Sequence, residues 1–359
     1  MAGKIYRSHM HVKGKMLKME KELTKEDKTF STNGLPENRR GKKRLEVLKT
    51  YKLYIGGQFP RTESGRYYIA TNGHGEQLAN ICLSSRKDFR DAVVAARNGS
   101  RGWSARPAFN RGQILYRMAE MLESRKPQFI DELSWQGLTK ARARRELAVT
   151  VDRLVHYSGW CDKYQQIFSS VNPVASSHFN FSVPEPMGVV AAIAPQTNSL
   201  IGLASIIAPA IAGGNAIVIL ASETKPLSAI SFAEVLHSSD LPAGVVNILT
   251  GKVSELSSQL SSHMDVNAVI YCGNDEFLAK QISQKSTSNV KRVLIYKDVD
   301  WLSDEGSRHT TFSIARKSKR PGIRSKTSAA VEVDIERLWA KLFNKFFRMR
   351  RYGTSIFHR

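Results

Sequence analysis

The chain has 359 residues, of which 42% are hydrophobic and 24% are charged, and it carries a formal net charge of +22. This length suffices for two folded domains, and the composition is typical of soluble globular proteins. The sequence lacks an apolar run of the roughly 20 residues that a membrane span needs, and its three scattered cysteines fit neither a disulfide framework nor a zinc site.

The positive charge is concentrated in two flanking segments. Residues 1–50 carry a net charge of +8 and residues 307–359 carry +11, which leaves +3 for residues 51–306. We therefore expect a basic, disordered tail over 1–50, a folded domain over 51–306, and a basic linker with an amphipathic helix over 307–359. Specific nucleic-acid binding is not predicted from such tails. The first residues lack the apolar core of a secretory signal, and a cytoplasmic location is expected.

Ordered structure is predicted to begin near Tyr51. The segments 51–55 and 67–70 read as short strands, and each runs into a glycine-containing turn. A helix is expected near residue 90, a second helix is expected to be capped by Asn110, and a third is expected over about 139–164. The predicted inward residues of the third helix are Leu147, Val151, Leu154, Val155 and Tyr157.

A regular alternation of strands and helices follows a turn predicted at Pro184-Glu185-Pro186. Its apolar runs are typical of strands buried on both faces. Strands are predicted at 189–193, 216–220, 245–249, 266–271 and 292–296, and helices at 200–212, from Pro226 onward, at 254–262 and around Lys280. This order predicts an α/β fold with a Rossmann-like parallel sheet, helices on both faces and a preceding helical segment.

The pattern changes after Asp300, where a basic, serine-rich linker leads to an amphipathic helix. Apolar residues recur at helical spacing from Ile335 to Phe347, and lysines and arginines surround them. Two interpretations stay open for residues 335–351. The helix either binds an anionic membrane surface or a groove, or it packs on the folded domain.

The motifs between about Tyr51 and Asp300 resemble those of the aldehyde dehydrogenase family. They include GVVAAIAPQTNSL from Gly188, LPAGVVNILTG ending at Gly251, and Tyr271-Cys272-Gly273-Asn274. The resemblance implies an NAD or NADP site, the start of an oligomerisation arm and no metal. It also implies that Asn198 donates to the oxygen of a thiohemiacetal. The implied cofactor-binding residues are Ala194, Pro195, Glu223, Gly251, Gly273 and Asn274.

The sequence departs from the family pattern at four points. Leu220 replaces a lysine that binds the adenine ribose, Leu278 replaces a second glycine, and Tyr296 replaces the glutamate that acts as general base. No cysteine follows Cys272, so the nucleophile is absent. The eroded motifs most resemble the second, non-catalytic module of family-16 enzymes. We therefore expect the catalytic domain to be missing.

Three functions are compatible with these observations. The first is an inactive structural or regulatory partner of an intact aldehyde dehydrogenase subunit or of a second copy of this chain. The second is an NAD(P)-dependent aldehyde oxidoreductase that another chain completes. The third is a basic module that binds a membrane or a polyanion through its flanks.

Overall fold

The computed structural model of the chain describes residues 47–173, 180–307 and 316–319. Most of the predicted tail over 1–50 and of the segment 307–359, with its amphipathic helix, lies outside the described residues. Within the described ranges, no helix is both long and apolar enough to cross a membrane. The strands are β1 (Thr50–Tyr51), β2 (Tyr67–Thr71), β3 (Gln77–Cys82), β4 (Ser170–Asn172), β5 (Asn180–Pro186), β6 (Val189–Ile193), β7 (Ala216–Leu220), β8 (Val246–Leu249), β9 (Ala268–Cys272), β10 (Arg292–Tyr296) and β11 (Arg316–Lys319).

The helices precede and separate the strands of the second half of the chain. They are α1 (Arg86–Ser104), α2 (Ala108–Ser124), α3 (Lys126–Trp135), α4 (Lys140–Phe168), α5 (Ser199–Ala212), α6 (Leu227–His237), α7 (Val253–Ser262) and α8 (Glu276–Ser286). The alternation from β6 to β10 agrees with the pattern predicted from the apolar runs.

The main sheet has five parallel strands in the order β10-β9-β6-β7-β8. Every residue of the central strand β6 is buried, because both faces of the sheet are covered. Val189 and Ala191 face a core formed with α1, α7 and α8, whereas Val190 and Ala192 face a core that contains residues of α2 to α6. The predicted doubly covered α/β sheet is therefore confirmed.

A smaller three-stranded sheet, in the order β1-β3-β2, packs beside β8. Tyr54 forms two backbone hydrogen bonds with Ile248, of 2.9 and 2.8 Å. The Asn247 side chain accepts a hydrogen bond from the Gly56 amide at 2.9 Å. The strand predicted over 51–55 is thus reduced to Thr50–Tyr51 and an isolated bridge, because the chain bends away from β3 to reach β8.

Three local predictions were wrong. Asn110 lies inside α2, which begins at Ala108 because Pro107, with φ −54°, leads directly into the helix. Val155 is 41% exposed, since it lies about 100° around α4 from the buried Leu154. Glu185 belongs to strand β5 and not to a turn. Its flanking prolines are tolerated there because pairing with β4 has ended at Ser182.

Candidate functional site

The candidate site lies at the carboxyl edge of the main sheet, where the strand order reverses. From β6, the chain places β7 and β8 on one side and β9 and β10 on the other. Ligands of open parallel sheets bind outside the strand ends at such a reversal. The segments that follow β6 and β9 therefore form the two sides of the candidate crevice.

A cavity of about 290 Å³ lies between these two segments. Three of the predicted cofactor-binding residues line it, namely Pro195, Gly273 and Asn274. Tyr296 and Trp301 form another part of the wall. This volume is at the lower end of the range of roughly 300–1,000 Å³ that is usual for ligand pockets. A larger cavity of about 670 Å³ lies between α2 and α4, away from the strand ends, and we do not assign the site to it.

On the β9 side of the cavity, the Asn274 amide is held by a neighbouring carboxylate. The Asn274 side chain donates to Asp298, and the Asp298 backbone amide donates back to Asn274 Oδ1 at 3.1 Å. The amide group that the resemblance assigns to a cofactor pyrophosphate thus already has one of its two N–H donors and its oxygen engaged. The nearby negative charge of Asp298 would also repel a phosphate.

Gly273 allows the chain to turn tightly at the end of β9. A Cβ at this position would lie 2.6 Å from the Tyr271 hydroxyl oxygen, so no larger residue fits without a shift of that ring. The preceding residue, Cys272, is 3% exposed. Burial raises the pKa of the Cys272 thiol well above its ordinary range, so the sulfur stays protonated and unreactive. The prediction that Cys272 is a buried packing residue is confirmed.

On the β7 side, Glu223 is fixed by contacts within the protein. Its carboxylate accepts a hydrogen bond from the Val253 amide, at the first turn of α7, at 3.2 Å. The Tyr68 hydroxyl donates to the Glu223 carbonyl oxygen at 3.2 Å. Glu223 therefore stabilises the start of α7, which is a favourable place for a negative charge. Neither Glu223 nor Gly251 lines the 290 Å³ cavity.

Gln196 joins the two turns that follow β6 and β7. Its side-chain oxygen accepts from the Glu223 amide at 2.9 Å, and its carbonyl oxygen accepts from the Ser222 hydroxyl at 3.2 Å. The Thr224 hydroxyl adds a third contact to that carbonyl at 3.4 Å. We call these contacts the Gln196 bridge. Gln196 also lines the cavity, so the bridge connects Glu223 to the cavity wall.

Asn198 is placed at the start of α5 in a left-handed conformation, with φ 50° and ψ 56°. Its side chain is half-buried, and within the described part of the chain it makes no hydrogen bond. Ala194, the remaining predicted residue, is buried, and its amide donates to the Leu220 carbonyl at 2.9 Å. Ala194 therefore offers only backbone atoms to a ligand.

The start of α5 is instead capped by Glu146, which sequence reasoning missed. One oxygen of Glu146 accepts from the amides of Leu200 at 2.9 Å and Ile201 at 3.2 Å. Burial raises the pKa of this carboxyl, and its other oxygen has no partner among the described residues. The only sequence signal was an acidic residue on the inward face of α4, next to Leu147.

Metal chemistry has no support in the arrangement of side chains. Across residues 47–173, 180–307 and 316–319, no group of three or more His, Cys, Asp or Glu side chains could hold a metal ion. His156 packs against Tyr157 at 5.2 Å between ring centroids and against Trp160 at 6.1 Å, on its own helix. The prediction that His156 is a packing residue is confirmed.

Comparison with known proteins gives a consistent result. Residues 60–296 match the aldehyde dehydrogenase family. The chain is 30% identical over 257 residues to cytosolic 10-formyltetrahydrofolate dehydrogenase of Mus musculus, covering 70% of this chain and 28% of the mouse protein. Among solved structures, it resembles the NAD+ complex of aldehyde dehydrogenase from Bacillus cereus, with a TM-score of 0.66, 25% identity, and coverage of 69% of this chain and 51% of that one.

A second solved structure, PnpE from Pseudomonas sp. WBC-3, also has a TM-score of 0.66, with 30% identity and coverage of 68% of this chain and 50% of PnpE. The chain thus spans about half the length of these structures and about a quarter of the mouse relative. The sheet order, the segments around the crevice and the match over residues 60–296 agree. The chain belongs to the aldehyde dehydrogenase family.

Proposed function

We propose that this chain is a non-catalytic member of the family that acts as a structural or regulatory partner of another subunit. The observation that carries the proposal is the state of Cys272. It is the cysteine that lines the 290 Å³ cavity at the carboxyl edge of the main sheet, and it is a buried, protonated thiol. Aldehyde oxidation through a thioester needs an accessible thiolate.

The residue to which the resemblance assigns the role of general base is also changed. Tyr296 stands where the resemblance places a glutamate, and its ring packs edge-on against Trp301, with 5.6 Å between the centroids. A phenol is not an effective general base at neutral pH. The carboxylate that lines the cavity, Asp298, is hydrogen-bonded to the Asn274 side chain, and we propose that it does not take over the role of this base.

The residues present do not fit a tightly bound NAD or NADP, although solved relatives include an NAD+ complex. Leu220 cannot hydrogen-bond a ribose. The side chains of Glu223 and Asn274 are engaged by Val253 and Asp298, and Glu223 does not line the cavity that Asn274 lines. We therefore assign no reaction step to this cofactor. The cofactor-binding roles of Ala194, Pro195, Gly251 and Gly273 remain predictions.

A partner role is supported by exposed apolar side chains on the arm formed by β4 and β5. Val171 is 70% exposed and Ile167, at the end of α4, is 58% exposed. Large apolar residues that cluster at the surface commonly mark an interface. We propose that this arm contacts a second copy of the chain or an intact aldehyde dehydrogenase subunit, in the cytoplasm, and that residues 51–306 form the domain that carries it.

Calorimetric titration of the purified chain with NAD and NADP, combined with an aldehyde oxidation assay, tests the proposal. We expect no saturable binding at millimolar cofactor and no oxidation above the rate without protein. Cofactor binding together with turnover that Asn198→Ala abolishes would refute it.

The alternative of an oxidoreductase completed by another chain is favoured by one observation, the unengaged side chain of Asn198, which directly follows the cavity-lining residue Thr197. Adding an intact family member and comparing wild type with Asn198→Ala separates the two functions. Only the alternative predicts that the substitution lowers the activity of the mixture. A membrane- or polyanion-binding role of the basic flanks concerns residues outside the described ranges and stays a prediction.

A further inference from the structure

The turn between α3 and α4 carries exposed cations beside an exposed tryptophan. Trp135, the last residue of α3, is 52% exposed. Lys140, Arg142, Arg144 and Arg145 follow within the first turns of α4, and all four are exposed. We call these five residues the corner patch. Trp135 and Lys140 are five residues apart, so their Cα atoms are separated by at most about 18 Å.

The cations of the corner patch have no compensating partner within the described part of the chain. Eight salt bridges occur among the described residues, and none involves these four side chains. The first turn of α4 contains no acidic residue. Positive charges are unfavourable at a helix N-terminus, where the backbone dipole is itself positive. A local arrangement that costs stability without an internal gain is a marker of a binding surface.

The corner patch is held rigidly on the same side of the fold as the strand ends. Gln136 is buried and accepts a hydrogen bond from the Leu227 amide at 3.0 Å, at the start of α6. Thr139 caps α4 by accepting from the Arg142 amide at 3.3 Å. Because Glu146 also joins α4 to the start of α5, the patch cannot turn away from the surface without breaking these caps.

We propose that the corner patch binds single-stranded nucleic acid without sequence preference. The four cations would contact phosphates, and Trp135 would stack on a base. At about 100° per residue, positions 140, 142, 144 and 145 spread over about 200° of the helix surface. Such a spread suits a flexible strand that bends around the helix better than a straight duplex. This proposal does not depend on whether the chain is catalytically active.

The test compares two triple variants of the full chain. The corner variant carries Arg142→Gln, Arg144→Gln and Arg145→Gln. The control variant carries Arg86→Gln, Lys252→Gln and Lys280→Gln, which are exposed residues outside any salt bridge of the described part. Each variant loses three positive charges, so the two variants differ only in where on the protein the charges are removed. Removing cations from the start of α4 relieves their repulsion with the positive end of the helix dipole, so the corner variant should fold. Circular dichroism should show that both variants are folded.

Binding of oligouridylate of about 20 nucleotides is measured over a series of salt concentrations. We expect the corner variant to bind at least about tenfold more weakly and to lose about 2 from the slope of log affinity against log salt, at about 0.7 per phosphate contact. The control variant should keep affinity and slope close to wild type. Equal losses in the two variants would overturn the proposal, because binding would then follow total charge alone.

Tryptophan fluorescence tests the stacking contact. We expect oligouridylate to quench the emission of the wild type, and we expect this quenching to be largely lost in Trp135→Phe. Unchanged quenching in that variant would overturn the proposal. Poly-glutamate of similar length serves as competitor. If it displaced the nucleic acid and quenched Trp135 equally well, the patch would be assigned to acidic polypeptides and the proposal would be wrong.

Discussion

Glu146 shows how one buried carboxyl can influence folding stability. Burial raises its pKa in the folded state above the unfolded value near ~4.3. The pH-dependent part of its contribution to stability is therefore fully present below that unfolded value and is lost as the pH rises through the folded pKa, whereas the hydrogen bonds of the cap remain. We expect Glu146→Gln to keep an oxygen for the Leu200 amide and to flatten the pH dependence. Glu146→Ala should cost about 1–2 kcal/mol at neutral pH, because the cap of α5 is lost. Denaturant unfolding of both variants at several pH values tests these two expectations. If Glu146→Gln left the pH dependence of the free energy of unfolding unchanged, Glu146 would not be its source.

Cys272 gives a second prediction for a single residue. All three cysteines are buried, and burial raises the pKa of both Cys161, to about 12, and Cys272. We expect none of them to react with a thiol reagent at pH 8 while the protein is folded. The same protein in denaturant should titrate three thiols, which is the internal control. Rapid labelling of Cys272 in the native protein, located by peptide mapping, would show that the site is more open than described.

At the scale of elements, α1 packs very closely on the loop before β8. A Cβ at Gly99 would lie 2.8 Å from the Ala243 carbonyl oxygen, whereas at Gly102 in the same helix it would meet nothing within 4 Å. We expect Gly99→Ala to destabilise the protein by about 1–3 kcal/mol through overpacking. Gly102→Ala should stabilise it by about 0.5–1 kcal/mol, because alanine is the better helix former. Equal free energies of unfolding for the two variants would show that α1 does not dock as described.

The elements also show what the sequence could and could not predict. The apolar runs of β6 and β7 predicted these strands with the bounds found, because strands buried on both faces have few alternatives. The bounds of β10 were also predicted, although it is a half-buried edge strand. The cap of α5 by Glu146 was not predictable, since the two groups are 54 residues apart in the chain. The hydrogen bonds of Gln196 and Asn274 depend on the turns between strands, whose conformation the apolar pattern does not specify.

At the scale of the whole molecule, the arm of β4 and β5 bears on assembly. We expect Val171→Asp to weaken self-association or association with an intact subunit by at least about tenfold, since an unpaired charge would be buried at the interface. Light scattering after size-exclusion chromatography measures the effect. Val94→Asp is a matched control, because Val94 is 51% exposed on α1, away from the arm. If Val94→Asp were equally disruptive, the interface would not be the arm.

The Gln196 bridge has a consequence for how a ligand could enter the crevice. Because the turns after β6 and β7 are bonded to each other, these polar groups are satisfied without a ligand between them. Reverting Leu220 to lysine would then restore one ligand contact but would leave the internal bonds to be broken first. We expect no single reversion to recover cofactor binding. The bridge therefore gives the crevice a closed resting arrangement, and we expect a ligand to enter between the two turns only if it replaces these hydrogen bonds.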